Sequence, residues 1–457
     1  MMKPLTLAKI AETTGGTFVG DPNLRARTIQ SVARDHREVK DGSLFLCIRG
    51  TRADGHDYAG AAFENGAVCA LAERELDVSD ARPYILVRST TDALRALGAY
   101  YRSLFDIPII GVTGSVGKTT AKEMLAAALG ARFNVLKTEG NLNNELGVPL
   151  TLLRLGAEHT AAVIEMGISG FGEMSRLAEM VRPTVCVMTL IGSAHLETLG
   201  GLDGVLRAKS EVFAHMPKDG VAVVCGDDER LWELEPGVRK ITFGMNARND
   251  FRAENFTADS PESTDCDIVS AAGRFRAVIP AYGAHMILAA LPAAAVGTLL
   301  GMRGDELARG IRAYTPAPGR AELADTGYLR LIDDCYNANP HSMRAALESL
   351  RTLPGRRVAI LGDMRELGAR SGELHREIGA LAAETGVDCL VTCGERAEFI
   401  FKGWIAARGE AEAYHFPFRD ALLERLPSLV RRADNVLVKA SHSMDFAEIA
   451  ARLRTLR

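Results

Sequence analysis

The chain has 457 residues, of which 47% are hydrophobic and 25% charged, and its formal net charge is −4 at pH 7. That length accommodates roughly two to four domains with substantial cores. The nearly balanced, interleaved charges exclude the basic field expected of a nucleic-acid or anionic-membrane binder.

The eight cysteines are scattered. None has zinc-site spacing, so they read as reduced core thiols in a reducing compartment. Residues 1–6 show no charged-then-apolar leader, and no run approaches the ~20 apolar residues of a membrane span. A cytoplasmic, monomeric protein without a membrane span or nucleic-acid partner is the expectation.

In chain order, residues 43–48 form an apolar strand candidate, 58–65 a short helix and 67–72 a second buried strand. Thr90-Thr91-Asp92 starts a helix that runs to about residue 104. From residue 107 the pattern becomes strand, glycine-rich turn, helix, strand. Apolar strands fall at 108–112, 161–165, 184–190 and 220–225, with a helix over 119–131. Short apolar strands alternating with helices indicate a parallel sheet covered on both faces. The Ala-rich stretch 286–300 contains Pro292 and reads as a buried helix.

A helix over 305–314 is followed by Pro316-Ala317-Pro318-Gly319, which breaks the chain. Strands at 329–333, 357–361, 389–392 and 435–439 then repeat the alternation. The expected fold is α/β in three domains. A small N-terminal α/β domain spans 1–86, a central phosphate-loop domain with a mainly parallel sheet spans 87–314, and a Rossmann-like domain spans 315–457.

The strand Ile109-Ile110-Gly111-Val112 runs into Thr113-Gly114-Ser115-Val116-Gly117-Lys118-Thr119-Thr120 and then a helix. Phosphate binding needs that order. The glycines let backbone N–H groups turn inward, the helix presents its positive end, and Lys118 adds a point charge. Thr119 is placed to bind Mg²⁺. The general pattern has glycine six residues before the lysine; here Val112 stands there, and the glycine is at 114.

Gly114-x-x-Gly117-Lys118-Thr119-Thr120 resembles the shortened loop of the Mur ligase superfamily, ATP-dependent amide-forming enzymes of peptidoglycan synthesis. Further segments are similar to its D-alanyl-D-alanine-adding type. They are Thr138 through Pro149, Asp333 through Met343, Gly362 through Gly368, and Asp41 through Phe45 with Arg52 through Asp57. The similarity covers essentially the whole chain.

The resemblance implies roles. Thr113 through Thr120, Asn141, His285, Arg320, Asp334 and Asn337 should bind ATP, with Arg320 reaching the γ-phosphate from the third domain. Thr119, Glu165, His195 and Lys209 should hold two Mg²⁺ ions, and Lys118, Glu165, His195, Lys209 and Arg320 should carry catalysis. From the residues alone, Glu165 closing a strand reads equally as a solvated loop carboxylate, His195 as a surface residue and Lys209 as a solvated helix lysine. In the family the lysine matching Lys209 is carbamylated.

Arg37, Asp54 and the stretch from Arg52 should hold the UDP end of a UDP-N-acetylmuramoyl-tripeptide, and Asn143 and Asn144 its peptide side. The C-terminal domain should bring D-alanyl-D-alanine. A ligase for another carboxylate and amine, or a nucleotide-binding paralogue without turnover, are the alternatives.

Two departures stand out. Met286 and Ala289 occupy positions where relatives carry adenine-side asparagines, and each lost contact is worth about 0.5–1.5 kcal/mol. Lys439-Ala440-Ser441-His442 differs from the family segment at two of four positions and reads equally as a strand-end turn.

Overall fold

The computed structural model describes all residues except 1, 52, 194, 261, 410 and 411, with the side chains of 258 and 259 also left aside. Arg52, expected near the UDP end, therefore lies outside the described residues. The structure is built on three main sheets, each turning a row of apolar residues inward.

The N-terminal unit has strands β1 (Leu5–Thr6), β2 (Thr17–Val19), β3 (Thr28–Ile29), β4 (Ser31–Ala33), β5 (Ser43–Leu46), β6 (Ala67–Ala72) and β7 (Tyr84–Leu86). β1 pairs with β3, and the others form a five-stranded sheet in the order β2-β7-β6-β5-β4, parallel except at β2. Every residue of β5 and β6 is buried, so these strands read as continuous apolar runs rather than alternating ones.

The helix Thr90–Ser103 begins at Ser89, whose side chain accepts the Asp92 N–H. It bridges to the centre: the Tyr101 hydroxyl donates to the Leu155 carbonyl and accepts the Lys3 N–H.

The central sheet comprises β8 (Ile109–Thr113), β9 (Val135–Lys137), β10 (Ala161–Glu165), β11 (Val185–Met188), β12 (Val221–Cys225), β13 (Arg239–Gly244), β14 (Phe251–Ser260), β15 (Ser263–Ser270) and β16 (Gly273–Ile279). Their spatial order is β16-β15-β14-β13-β12-β11-β8-β10-β9. The six pairings from β9 to β14 are parallel, and the last two are antiparallel. The antiparallel extension is absent from the expected elements. Its signal was the alternation in β15, where Thr264, Cys266 and Ile268 point inward, while Asp265 and Asp267 face Arg274 and Arg276 on β16.

Helix Ile287–Leu299 is buried along almost its whole length, Pro292 included, as its uniform apolarity requires. Among the described residues no helix is long and apolar enough to cross a membrane. All eight cysteines are free and buried.

The third sheet contains β17 (Glu322–Asp325), β18 (Arg330–Asp333), β19 (Arg357–Gly362), β20 (Cys389–Cys393), β21 (Ala413–Phe416) and β22 (Asn435–Lys439), ordered β17-β18-β22-β19-β20-β21. All neighbours are parallel except β17 and β18, a Rossmann-like arrangement with its own two core layers. The α/β, three-unit expectation is met.

The phosphate-loop helix Lys118–Leu129 is braced by helix Gly304–Arg312. At the crossing, a Cβ on Gly310 would lie 2.3 Å from the Ala128 carbonyl oxygen. Gly310→Ala must push the two helices apart and is expected to destabilise the chain by about 1–3 kcal/mol. Thermal or urea unfolding checks this; an unchanged midpoint would refute the close packing.

Candidate active site

β8 is buried throughout and delivers the chain into the loop at the carboxyl edge of the sheet, where open α/β sheets bind ligands. Val112 sits inside the ladder, paired with Glu165 on β10 and Val187 on β11. The position of the missing first glycine is therefore still strand, and the loop is shorter because the strand runs one residue further.

Gly114 has φ +140, and a Cβ there would meet the Thr189 hydroxyl at 2.0 Å. Gly117, at φ +82, precedes the helix. The Ser115 N–H donates to the Leu190 carbonyl, the Thr189 hydroxyl to the Val116 carbonyl, and the Lys118 ammonium to the Gly114 carbonyl at 2.9 Å. Burial lowers the Lys118 pKa; Arg320 adds to this, while Glu165 and Glu366 oppose it.

Glu165 ends β10 with 1% exposure. Its N–H donates to the Thr138 hydroxyl, and its Oε1 accepts from Asn143 Nδ2 at 2.8 Å and from the Thr119 hydroxyl at 3.3 Å. Its Oε2 is buried without a hydrogen-bond partner. Behind it lies Lys122, fully buried, donating to the Thr138 carbonyl, paired with Glu123 at 2.9 Å and 4.0 Å from Glu165 Oε2. The sequence reading missed Lys122, although a second lysine one helical turn after Lys118 was a visible signal.

The third unit closes the other side. Arg320 Nη2 donates to the Thr119 hydroxyl at 3.2 Å, and its guanidinium lies 3.8 Å from the centre of the Tyr336 ring. Asp334 pairs with Lys439 at 2.5 Å and accepts the Ala321 N–H. Lys439 is 2% exposed and also donates to the Asn337 carbonyl. The Lys439 segment is thus a buried ion pair beneath the Asp334 loop rather than a plain turn, its two changed neighbours notwithstanding.

These groups line one cavity of about 700 Å³, shared between the central and third units. It takes in Ser115 through Thr120, Asn141, Asn143, Asn144, Glu165, His195, His285, Arg320, Asp334 and Asn337. Thr113 is buried just below, at the strand end.

Three expected positions are outside the cavity lining. Arg37 is exposed and clamped on Asp35, and Asp54 contacts His56, Arg49 and Arg74 in the N-terminal unit. Lys209 is in the helix Leu202–Ser210 but 1% exposed, which overturns its reading as a solvated lysine. Burial drives its pKa well below the ordinary lysine value, and the charge of Lys118 pushes the same way.

His195 meets Glu366 of the third unit, Nδ1 to Oε2 at 2.7 Å. Both residues have left-handed backbone, φ 59 and 64. Glu366, another residue the sequence reading left unassigned, has its pKa lowered by His195 and further by Lys118, against partial burial.

The base end follows from strand spacing. β12 and β13 stand two and three places from β8, roughly 10–14 Å along the carboxyl edge, which is a nucleotide's reach from phosphates to base. There the cavity is lined by Cys225, Phe243, Met245, Leu288 and Ala289. Met286, 1% exposed, packs into the core. An apolar shelf that includes Ala289, one of the two departures, thus stands at the base end, with His285 beside it, 3.4 Å from the Ser349 hydroxyl.

A phosphate loop, a strand-end carboxylate and an arginine from another unit, converging on one cavity, define a nucleotide-dependent enzyme built of three α/β units. Known proteins agree. Residues 28–139 match the Mur ligase family catalytic domain, 112–297 the Mur ligase middle domain, and 319–442 the Mur ligase glutamate ligase domain. The chain is 36% identical to the UDP-N-acetylmuramoyl-tripeptide–D-alanyl-D-alanine ligase of Escherichia coli (strain K12), covering 99% of both, and 34% identical to that of Bacillus subtilis (strain 168), covering 97% of both. Among solved structures, MurF from Acinetobacter baumannii superposes with a TM-score of 0.91 at 32% identity over the full length of both chains. MurF from Thermotoga maritima in complex with ADP gives 0.83 at 29% identity, covering 93% of this chain and 97% of that one. The chain belongs to the Mur ligase family, in its MurF branch.

Lys209 supplies a test of the electrostatics. Its folded pKa is below its unfolded one, so between the two the unfolded chain binds more protons and stability rises with pH. Lys209→Met removes this penalty. In CO₂-free buffer its urea midpoint is expected above the parent's at pH 7, the difference closing as pH approaches 10. An equal or lower midpoint at pH 7 would refute the uncompensated burial.

Proposed function

We propose that the chain is a cytoplasmic, ATP-dependent ligase that joins UDP-N-acetylmuramoyl-tripeptide to D-alanyl-D-alanine. The observation that carries this reading is the convergence of Lys118, Thr119, Glu165 and Arg320 on one cavity, together with the named activity of relatives matched end to end. The division into 1–86, 87–314 and 315–457 gives one unit to each ligand: the UDP end, the nucleotide, and the dipeptide.

A carboxylate oxygen of the tripeptide attacks the γ-phosphorus of ATP, the bond to ADP breaks, and an acyl phosphate forms. The amine nitrogen of the dipeptide then bonds to the acyl carbon as the carbon–oxygen bond to phosphate breaks. Two anions must approach one another in the first step, so catalysis is mostly positioning and charge neutralisation. Lys118 swings from the Gly114 carbonyl to the phosphates, and Arg320 meets the transferring group from the other side. Asn143 and Asn144 border the tripeptide end, Asp334 and Asn337 the nucleotide, while Arg37 and Asp54 belong to the UDP end.

A divalent cation suits the residues present: Glu165 Oε2 is buried without a hydrogen bond, the Lys122 ammonium standing 4.0 Å off, and a carboxylate plus the Thr119 hydroxyl make a hard-oxygen set. We assign one Mg²⁺ to Thr119 and Glu165, where it would neutralise phosphate charge. Among the described residues no group of three His, Cys, Asp or Glu side chains forms a ready metal cage, so phosphate oxygens and water must complete the shell. A second ion would draw on His195, once it leaves Glu366, and on Lys209. The depressed pKa of Lys209 favours the neutral amine that reacts with CO₂ to form a carbamate.

The test is phosphate release by the pure protein with ATP, Mg²⁺ and both substrates. Release that requires both is the expected result; release independent of the dipeptide would sink the reading. Lys118→Ala is expected to lower kcat by at least about 100-fold, the scale of losing a transition-state charge partner, while the chain remains folded.

A further inference from the structure

An amine that attacks an acyl group arrives as an ammonium, since α-amino groups titrate at about 7.7–8.0. A cleft that joins a carboxylate to an amine therefore needs an anion of its own beside the cations that hold the carboxylate and phosphates.

Four carboxylates line the cavity among the described residues: Glu165, Glu173, Asp334 and Glu348. Three are committed. Glu165 is held by Asn143 and Thr119, Glu173 accepts the Ser169 N–H and hydroxyl, and Asp334 is paired with buried Lys439. Glu348 stands next to Ser349, which touches His285 at the base end, away from the phosphate loop.

Glu366 is different. It comes from the third unit and, from just outside the cavity lining, meets the lining residue His195 at 2.7 Å, where it and Lys118 feel one another's charge. Its side chain is 58% exposed, and among the described residues its one ion-pair partner is His195. Its backbone is left-handed at φ 64, opposite His195 at φ 59, a region that residues other than glycine enter at a cost and that clusters at functional sites. The Gly362–Gly368 segment holds it there: Gly368 lies against Glu197, two residues from His195.

We propose that Glu366 receives the ammonium of the incoming dipeptide and holds its nitrogen beside the acyl phosphate, an assignment that rests on the ligase function proposed above. In the free chain His195 occupies the carboxylate. An ammonium offers three N–H donors where an imidazole offers one toward this oxygen, so substrate displaces the ring. The role is binding and aim: the held ammonium gives one proton to solvent water to become the attacking amine, and the nitrogen's second proton leaves with the departing phosphate as the amide forms.

The test separates the two half-reactions in the full chain. Hydroxylamine, a small neutral nucleophile, captures the acyl phosphate as a hydroxamate without needing an ammonium site. For Glu366→Gln, hydroxamate formation from UDP-N-acetylmuramoyl-tripeptide and ATP is expected to persist at the parent's rate, and KM for ATP to stay unchanged. KM for D-alanyl-D-alanine should rise about 10- to 100-fold, the scale of one charge-assisted hydrogen bond, and Glu366→Asp should recover part of it. An unchanged dipeptide KM, or a hydroxamate rate that falls in parallel, overturns the assignment. Failure of the unmodified chain to form hydroxamate overturns the ligase reading instead.

Discussion

The buried carboxylate of Glu165 is the constraint around which the active site is built. An ionised carboxylate removed from water costs several kcal/mol unless it is paired and hydrogen-bonded. Here the compensation comes from several segments at once: Asn143 after the phosphate-loop helix, Thr119 within it, and Lys122 one turn further on. Each partner is also tied to the loop or to the neighbouring strand, so the carboxylate and the phosphate cradle keep one geometry. One oxygen is left without a hydrogen bond on a residue that lines the cavity, and that spare valence makes a structural ion pair into a site for chemistry.

The contacts between the central and third units are of another kind. Arg320 reaches Thr119, His195 reaches Glu366, and His341 approaches the Gly192 turn. These are polar, partly exposed contacts, weak individually and easily exchanged for a ligand's charges. The cores of the two units are separate except at Tyr282 of the central unit, which packs into one core layer of the third. Such an interface suits a cleft that must admit large substrates and then enclose them.

Some of this was legible in the chain. The phosphate loop, the strands on either side of it and the alternation of the third unit follow from apolar runs and glycine placement, which depend on neighbours in sequence. Glu165 and Arg320 could be placed at strand end and linker by the same logic. The antiparallel strands β14 to β16 were not seen: β15 carries the alternation of a strand, but its polar face is held by charge pairs to Arg274 and Arg276 on the next strand, which only the pairing reveals. Lys209 was misread from its residues alone for a related reason: a lysine near the end of an amphipathic helix looks solvated until the packing around it is known.

The sequence alone determined the phosphate cradle, the number and type of the α/β units and the family, since these are written in local spacing and long motifs. Only the tertiary structure decided the partners. It set Lys122 behind Glu165, Glu366 against His195, Lys439 under Asp334, and an apolar shelf of Phe243, Met245 and Ala289 at the base end of the cavity. Each of these joins residues tens to hundreds of positions apart. Charge compensation in a buried site depends on distance in space, and the fold alone sets that distance.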